Sequence, residues 1–349
     1  MMDTEFLLRL LNISGVSGNE MEATLLCKKY MPSQCHMHQD VMGNLIVNIP
    51  GNGESQKCNN TAHILVDAHI DEIGLQVTYI DNDGYIYVRP CGGVDIVSMI
   101  GSFVDIRCNG GKIIKGVIGR KPIHLMRGDE RTKIPDIDGI WIDTGLSNEE
   151  VKEKVRVGDY VTTISNASIL GKGRIASKAI DNRVGAFILT QLAHVLCGKT
   201  DKDVTLVFTT QEELGCKGAA VSAFGKKYDY VVCLDAAFSS DVPDVSPRIV
   251  GEVKLGGGPV IYRNGDTNPE FFEYITDIAR QHGINIQISA DNAASGGTNT
   301  RNLQLSGAGQ KTATIGYAVR YMHTPVGMAD LTDIENTIKL LYHIINAIG

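Results

Sequence analysis

Residues 63–74 read HILVDAHIDEIG, and the fold turns on them. The first six are a short apolar run of the length and make-up of a buried strand. The run ends on two chemically active side chains, His69 and Asp71. At Gly74 the texture of the chain changes. From there to about Thr163 helical periodicity vanishes. Strand-like stretches appear at 85–88 (YIYV) and 103–106 (FVDI), with hairpin turn signals in Asp81-Asn82-Asp83-Gly84 and Asn109-Gly110-Gly111. Residues 74–163 therefore read as a small β-rich domain inserted into a larger one formed by 1–73 and 164–349.

Beyond the insert, apolar strands alternate with amphipathic helices. Strands are predicted at 204–209, 230–234, 284–289 and 312–316, and helices at 183–197, 268–282 and 331–348. The helix at 268 opens with Asn-Pro, a good cap and first-turn pair. Such alternation implies an α/β domain, a mostly parallel or mixed central sheet flanked by helices.

The 349 residues suffice for two domains, and 43% hydrophobic content with 21% charged is that of a soluble globular chain. The net charge of −7 argues against nucleic acid, whose phosphates need a basic surface. No export signal and no membrane span are evident. A cytoplasmic location is expected, and the eight scattered cysteines read as free thiols.

The chemistry lies in where polar residues fall relative to the strands. His69 and Asp71 follow the first strand, and Glu212 and Glu213 the second. Asp235 ends the third. Asp291 and the loop 295–299 (SGGTN) follow the fourth, and His323 comes seven residues after the fifth. In open α/β sheets the ligand crevice lies beyond the carboxyl ends of the strands. Carboxylates gathered there repel one another unless cations compensate them. Histidine and carboxylate donors without thiolate suit zinc, cobalt or manganese rather than calcium. Two histidines and three acids are rich for one catalytic ion and fit two ions bridged by a carboxylate. Taken singly, Asp181 reads as a helix cap, Glu212-Glu213 as a solvated pair and His69 as a structural histidine. Their joint placement favours a metal site.

At this point the sequence resembles a family, the tetrahedral aminopeptidases, metallopeptidase family 42 of the co-catalytic zinc exopeptidase clan. The blocks that carry the resemblance are Gly15-Val16-Ser17-Gly18, Gly43-Asn44-Leu45-Ile46, Asp67-Ala68-His69-Ile70-Asp71-Glu72-Ile73-Gly74 and Gly116-Val117-Ile118-Gly119. They continue with Lys178-Ala179-Ile180-Asp181-Asn182-Arg183, Gln211-Glu212-Glu213-Leu214-Gly215, Gly296-Gly297-Thr298 and Arg320-Tyr321-Met322-His323-Thr324-Pro325. The resemblance implies that Asp181 bridges two divalent ions, zinc or cobalt. His69 and Asp235 would complete one site, and Glu213 and His323 the other. Asp71 would orient His69, and Glu212 would act as general base. It further implies a cis peptide after Asp181 and a barrel in the insert that builds a twelve-subunit hollow tetrahedron.

The expected activity is release of N-terminal residues from short peptides. A clan-related N-acyl amino acid deacylase and a catalytically silent metal-binding assembly protein are the alternatives. Asn299, Ala318 and Gly327 depart from the family pattern, at positions that are not ligands. Arg263 or Lys254, near a glycine loop, would favour acidic substrates if it reached the site, but a surface role is the simpler reading for both.

Overall fold

The computed structural model describes residues 2–52, 62–290 and 297–348. Asp291, Ser295 and Gly296, expected at the sheet edge, lie outside the described residues.

Three strands precede the insert: β1 (His36–Gln39), β2 (Leu45–Ile49) and β3 (His63–His69). The insert supplies β4 (Gly74–Ile80), β5 (Ile86–Cys91), β6 (Phe103–Arg107), β7 (Ile113–Arg120), β8 (Ile140–Asp143) and β9 (Tyr160–Thr163). These six close into a barrel in the order β4-β5-β8-β7-β6-β9. Inward residues such as Leu75, Val88, Val104, Ile118 and Ile142 fill it with a core of its own.

The chain then returns through β10 (Ser168–Leu170) and β11 (Arg174–Ser177). It continues with β12 (Asp203–Thr209), β13 (Tyr230–Phe238), β14 (Val260–Tyr262), β15 (Gln287–Ser289), β16 (Thr312–Val319) and β17 (Gly327–Asp330). The main sheet runs β1-β2-β12-β3-β13-β16-β14-β15, and β10-β11-β17 form a small separate sheet. Strands β12, β3, β13 and β16 are mutually parallel, while β2 and β14 are antiparallel to their inner neighbours. This is the mixed α/β sheet with an inserted barrel that the sequence predicts.

Buried Val, Ile and Leu on both sides of the four parallel strands explain their almost unbroken apolar runs. One face carries the helices Thr4–Asn12, Ile180–Leu196, Pro269–Gln281 and Leu331–Ala347. The other packs a smaller cluster around Leu65, Val207, Val231 and Leu303. Among the described residues no helix is long and apolar enough to cross a membrane.

Three strand bounds differ from expectation. The strand predicted at 230–234 runs on to Phe238, so Asp235 lies within it rather than at its end. The strand predicted at 284–289 is only Gln287–Ser289, because among the described residues it pairs only with the three-residue β14. The strand predicted at 312–316 runs on to Val319, pairing with β13 along its whole length. His323 therefore stands four residues beyond the strand end rather than seven.

Where the chain leaves β3 for the barrel and returns from it, three charged side chains are buried together. Lys178 Nζ lies 2.7 Å from Glu72 Oε2, and Arg183 Nη2 lies 3.5 Å from Glu72 Oε1. Arg183 also donates to the carbonyls of Ile70 and Leu10, and Lys178 to that of Ile13. The cluster thus ties the N-terminal segment, the end of β3 and the start of the helix Ile180–Leu196 into one joint. Replacing Glu72 with Gln leaves two buried cations facing a neutral amide. We expect a stability loss on the order of 3–5 kcal/mol, read as a lower melting midpoint.

Candidate metal centre

Register brings the site together. Thr209 of β12 is paired with His69 of β3, and Leu234 of β13 with Ala68. His69, Asp235 and the Glu212-Glu213 segment therefore emerge at one edge, the carboxyl end of the parallel strands. The helix Ile180–Leu196 brings Asp181 to the same edge, and the loop after β16 brings His323.

His69 Nε2 lies 3.1 Å from Asp181 Oδ1 and 3.5 Å from Asp235 Oδ1. His323 Nε2 lies 3.4 Å from Asp181 Oδ2 and 3.4 Å from Glu213 Oε1. Two triads result, His69–Asp181–Asp235 and Asp181–Glu213–His323, with the ligand-type atoms of each within 4.8 Å of one another. They share Asp181, which turns one oxygen to each. Glu212 belongs to neither triad but lines the same cavity.

Asp71 is fully buried and holds three partners. Its Oδ1 lies 3.4 Å from His69 Nδ1 and accepts the Glu212 N–H at 3.1 Å. Its Oδ2 accepts the Glu213 N–H at 3.0 Å. One carboxylate thus sets both the histidine ring and the Glu212-Glu213 backbone, a device typical of metal-ligand support.

The electrostatics show how much charge is packed here. Burial opposes ionisation of Asp181, but His323 and His69 flank its two oxygens and hold its pKa well below the carboxylate range. Burial likewise works against Asp71, whose pKa the His69 ring nonetheless keeps low. Burial pushes Glu212 up to about 9, with Asp235, Glu213 and Asp181 adding repulsion, and also raises Glu213 and Asp235. Asp181 and Glu213 raise His323 to about 10. Burial disfavours a charged ring at His69, yet Glu212, Asp181, Asp235 and Asp71 raise its pKa well above the usual value. Five carboxyl groups thus surround two imidazoles that take up protons as the nearest available cations. Divalent ions answer the same need without protons, and these nitrogen and oxygen donors fit them.

The backbone around the candidate ligands is unusual. Ala179, Gln211, Cys216, Tyr321 and His323 have φ between 54° and 60° or, for His323, of 63°, in the left-handed region that costs non-glycine residues energy. Each is a site residue or lies within four positions of one in sequence. The Asp181–Asn182 peptide is cis. Asn182 Nδ2 donates to the Leu234 carbonyl at 2.8 Å, and Tyr317 Oη donates to Ile180 O and Asn182 Oδ1 at 2.9 and 2.7 Å.

Several supporting residues were not singled out in the sequence. Glu20 accepts the Gln211 N–H at 3.1 Å from the N-terminal segment, and burial pushes its carboxyl up to about 7. Cys216 Sγ lies 3.4 Å from Glu212 Oε1. The barrel also reaches the site. A methyl group on Gly92 would stand 2.7 Å from Glu213 Oε2, and one on Gly93 2.8 Å from His323 Nδ1. The next turn is tied on by the Asp95 N–H, which donates to the His323 carbonyl at 3.1 Å. Only glycine in this turn lets barrel and ligands come so close, a requirement visible in the sequence only as a Gly-Gly pair. Asn299 is buried behind the site, donating to Asp67 Oδ2 at 2.8 Å and Thr209 Oγ1 at 2.7 Å. Arg263 and Lys254 do not line the cavity; they pair with Glu273 and Glu252.

A family model described as M42 glutamyl aminopeptidase matches residues 43–340. A putative aminopeptidase of Acetivibrio thermocellus is 33% identical over 342 residues, covering 97% of this chain and 96% of the relative. The lysyl aminopeptidase of Pyrococcus furiosus is 31% identical over 348 residues, covering 97% and 96%. Among solved structures, the TET1 peptidase of Pyrococcus horikoshii, which can assemble into a tetrahedron or a large octahedral shell, superposes with a TM-score of 0.85. That match is 29% identical and covers 99% of each chain.

Proposed function

Since the chain belongs to the M42 glutamyl aminopeptidase family and is an aminopeptidase, we propose that it works through two divalent ions, zinc or cobalt, with Glu212 as its general base. One observation carries this reading. Two donor triads share Asp181 through different oxygens, and a carboxylate outside both faces the same cavity.

His69, Asp181 and Asp235 would hold one ion, and Asp181, Glu213 and His323 the other. Bound there, the ions supply Lewis acidity, which acidifies a water and polarises the scissile carbonyl. Glu212 takes the proton of the attacking water and returns it to the leaving amine. Asp71 keeps His69 in the tautomer whose Nε2 is free to ligate, and fixes where Glu212 stands by holding its N–H.

Three measurements test the reading. Purified chain should contain two zinc or cobalt ions. A strong chelator should abolish hydrolysis of aminoacyl-anilides, and added zinc or cobalt should restore it. N-acyl amino acids should be left intact; their cleavage would favour the deacylase alternative. Metal binding with no turnover of either class would favour the silent assembly protein.

We extend the proposal to assembly. Phe103, Leu125 and Ile134 on the insert and Phe224 and Ile249 on the larger domain are more than half exposed, apolar side chains that subunit contacts would cover. Twelve copies in a tetrahedral shell, with residues 74–163 supplying subunit contacts, account for their exposure. Light scattering should give a mass near twelve times 37.8 kDa; a monomer would overturn the assembly.

A further inference from the structure

The cavity over the metal centre has a volume of about 370 Å³, at the small end of ligand sites. Six of its lining residues are Glu212 and the five candidate ligands. The rest of the wall includes Cys216, Ala236, Phe238, Tyr262, Thr298 and Met322. None of the described residues in that remaining wall carries a charge.

Lys217 and Arg301, close in sequence to Cys216 and Thr298, do not line the cavity, and three other cations of neighbouring segments have partners of their own. Arg263, next to Tyr262, lies 3.8 Å from Glu273 and stacks on the Phe272 ring at 5.2 Å. Arg320 Nη2 donates to Asp241 at 2.6 Å, and Lys254 pairs with Glu252. Asp241 is spent on Arg320.

A substrate's first side chain has to lie against this wall while its scissile bond sits at the ions. A Glu or Asp side chain would meet no cation there, on top of the carboxylates already present. Among the described lining residues, a Lys or Arg side chain would meet no carboxylate beyond the candidate ligands and Glu212. A charge left unpaired against an uncharged wall is disfavoured, whereas apolar atoms gain by leaving water.

We infer that the Phe238–Tyr262–Met322 wall selects neutral, apolar N-terminal residues of the Leu and Met kind over acidic and basic ones. This rests on the aminopeptidase reading above. Phe238 is the lever. It is 60% exposed, so it is not part of the core and can be changed without unfolding the chain.

The test is a panel of Leu-, Met-, Glu-, Asp-, Lys- and Arg-4-nitroanilides on the metal-replete full chain. kcat/KM for Leu and Met should exceed that for the charged residues by about 10²-fold, the scale on which such pockets discriminate. Phe238→Ala should raise KM for the Leu substrate with kcat nearly kept, and Phe238→Arg should lower KM for the Glu substrate. Equal or better turnover of Glu or Lys substrates by the unaltered chain would overturn the inference. Calorimetric binding of L-leucine, L-glutamate and L-lysine to the same preparation reads the wall without turnover. If no anilide is cleaved, the aminopeptidase mechanism fails, and the order of these three affinities still decides the selectivity.

Discussion

Replacing Glu212 with Gln should leave two ions bound per chain and lower kcat on a good aminoacyl-anilide by about 10²–10⁴-fold, the usual worth of a positioned proton acceptor. The substitution keeps size and shape. Glu212 lies in neither triad, so the donors for both ions are untouched. The Glu212 N–H still has Asp71 to hold it, because that bond is made by the backbone. What disappears is the basic oxygen. Burial and neighbouring carboxylates raise its pKa to about 9 when only protein charges are present. Positive ions close by favour the ionised form and bring that value down. A base must be deprotonated to act, so activity should rise with pH through the ion-loaded pKa of Glu212. That acid limb should be missing from the residual activity of the variant. Metal analysis together with kcat against pH checks both halves. A variant of full activity, or one that has lost its ions, would remove Glu212 from this role.

Asp181→Ala should act differently, emptying both sites at once. One oxygen of Asp181 faces His69 and the other His323, so each triad falls to two donors when it is removed. The expected result is near-zero metal content after gel filtration and turnover reduced by more than about 10⁴-fold, as a water at neutral pH loses its activation. His323→Ala is the control. It spoils one triad and spares His69, Asp181 and Asp235, so about one ion should remain. If Asp181→Ala kept one ion, as His323→Ala should, the carboxylate would not be a bridge.

Much of this arrangement was legible in the chain. Residues 63–69 read as a buried strand ending in histidine. The other apolar runs also ended close to a carboxylate or imidazole, and a parallel sheet sends such ends to one edge. The fold class follows from the same alternation. Short or weakly patterned elements were not legible. Strand β14 has three residues, too few for any period, and β15 is as long as β14 allows. Contacts made across the fold were also hidden. Glu20 holds the Gln211 N–H from 191 positions away, and the Tyr317 hydroxyl braces Asn182 from 135. Nothing local in either residue signals its partner. Which Asp181 oxygen serves which histidine depends on the backbone bend at residues 181–182, where the helix has not yet become regular.

The Gly92-Gly93 turn gives the smaller domain a stake in the chemistry. Glu213 and His323 rest against bare backbone of the insert, so the insert backs two of the candidate ligands. Thickening that partition by a single methyl group at Gly93 would press on an imidazole.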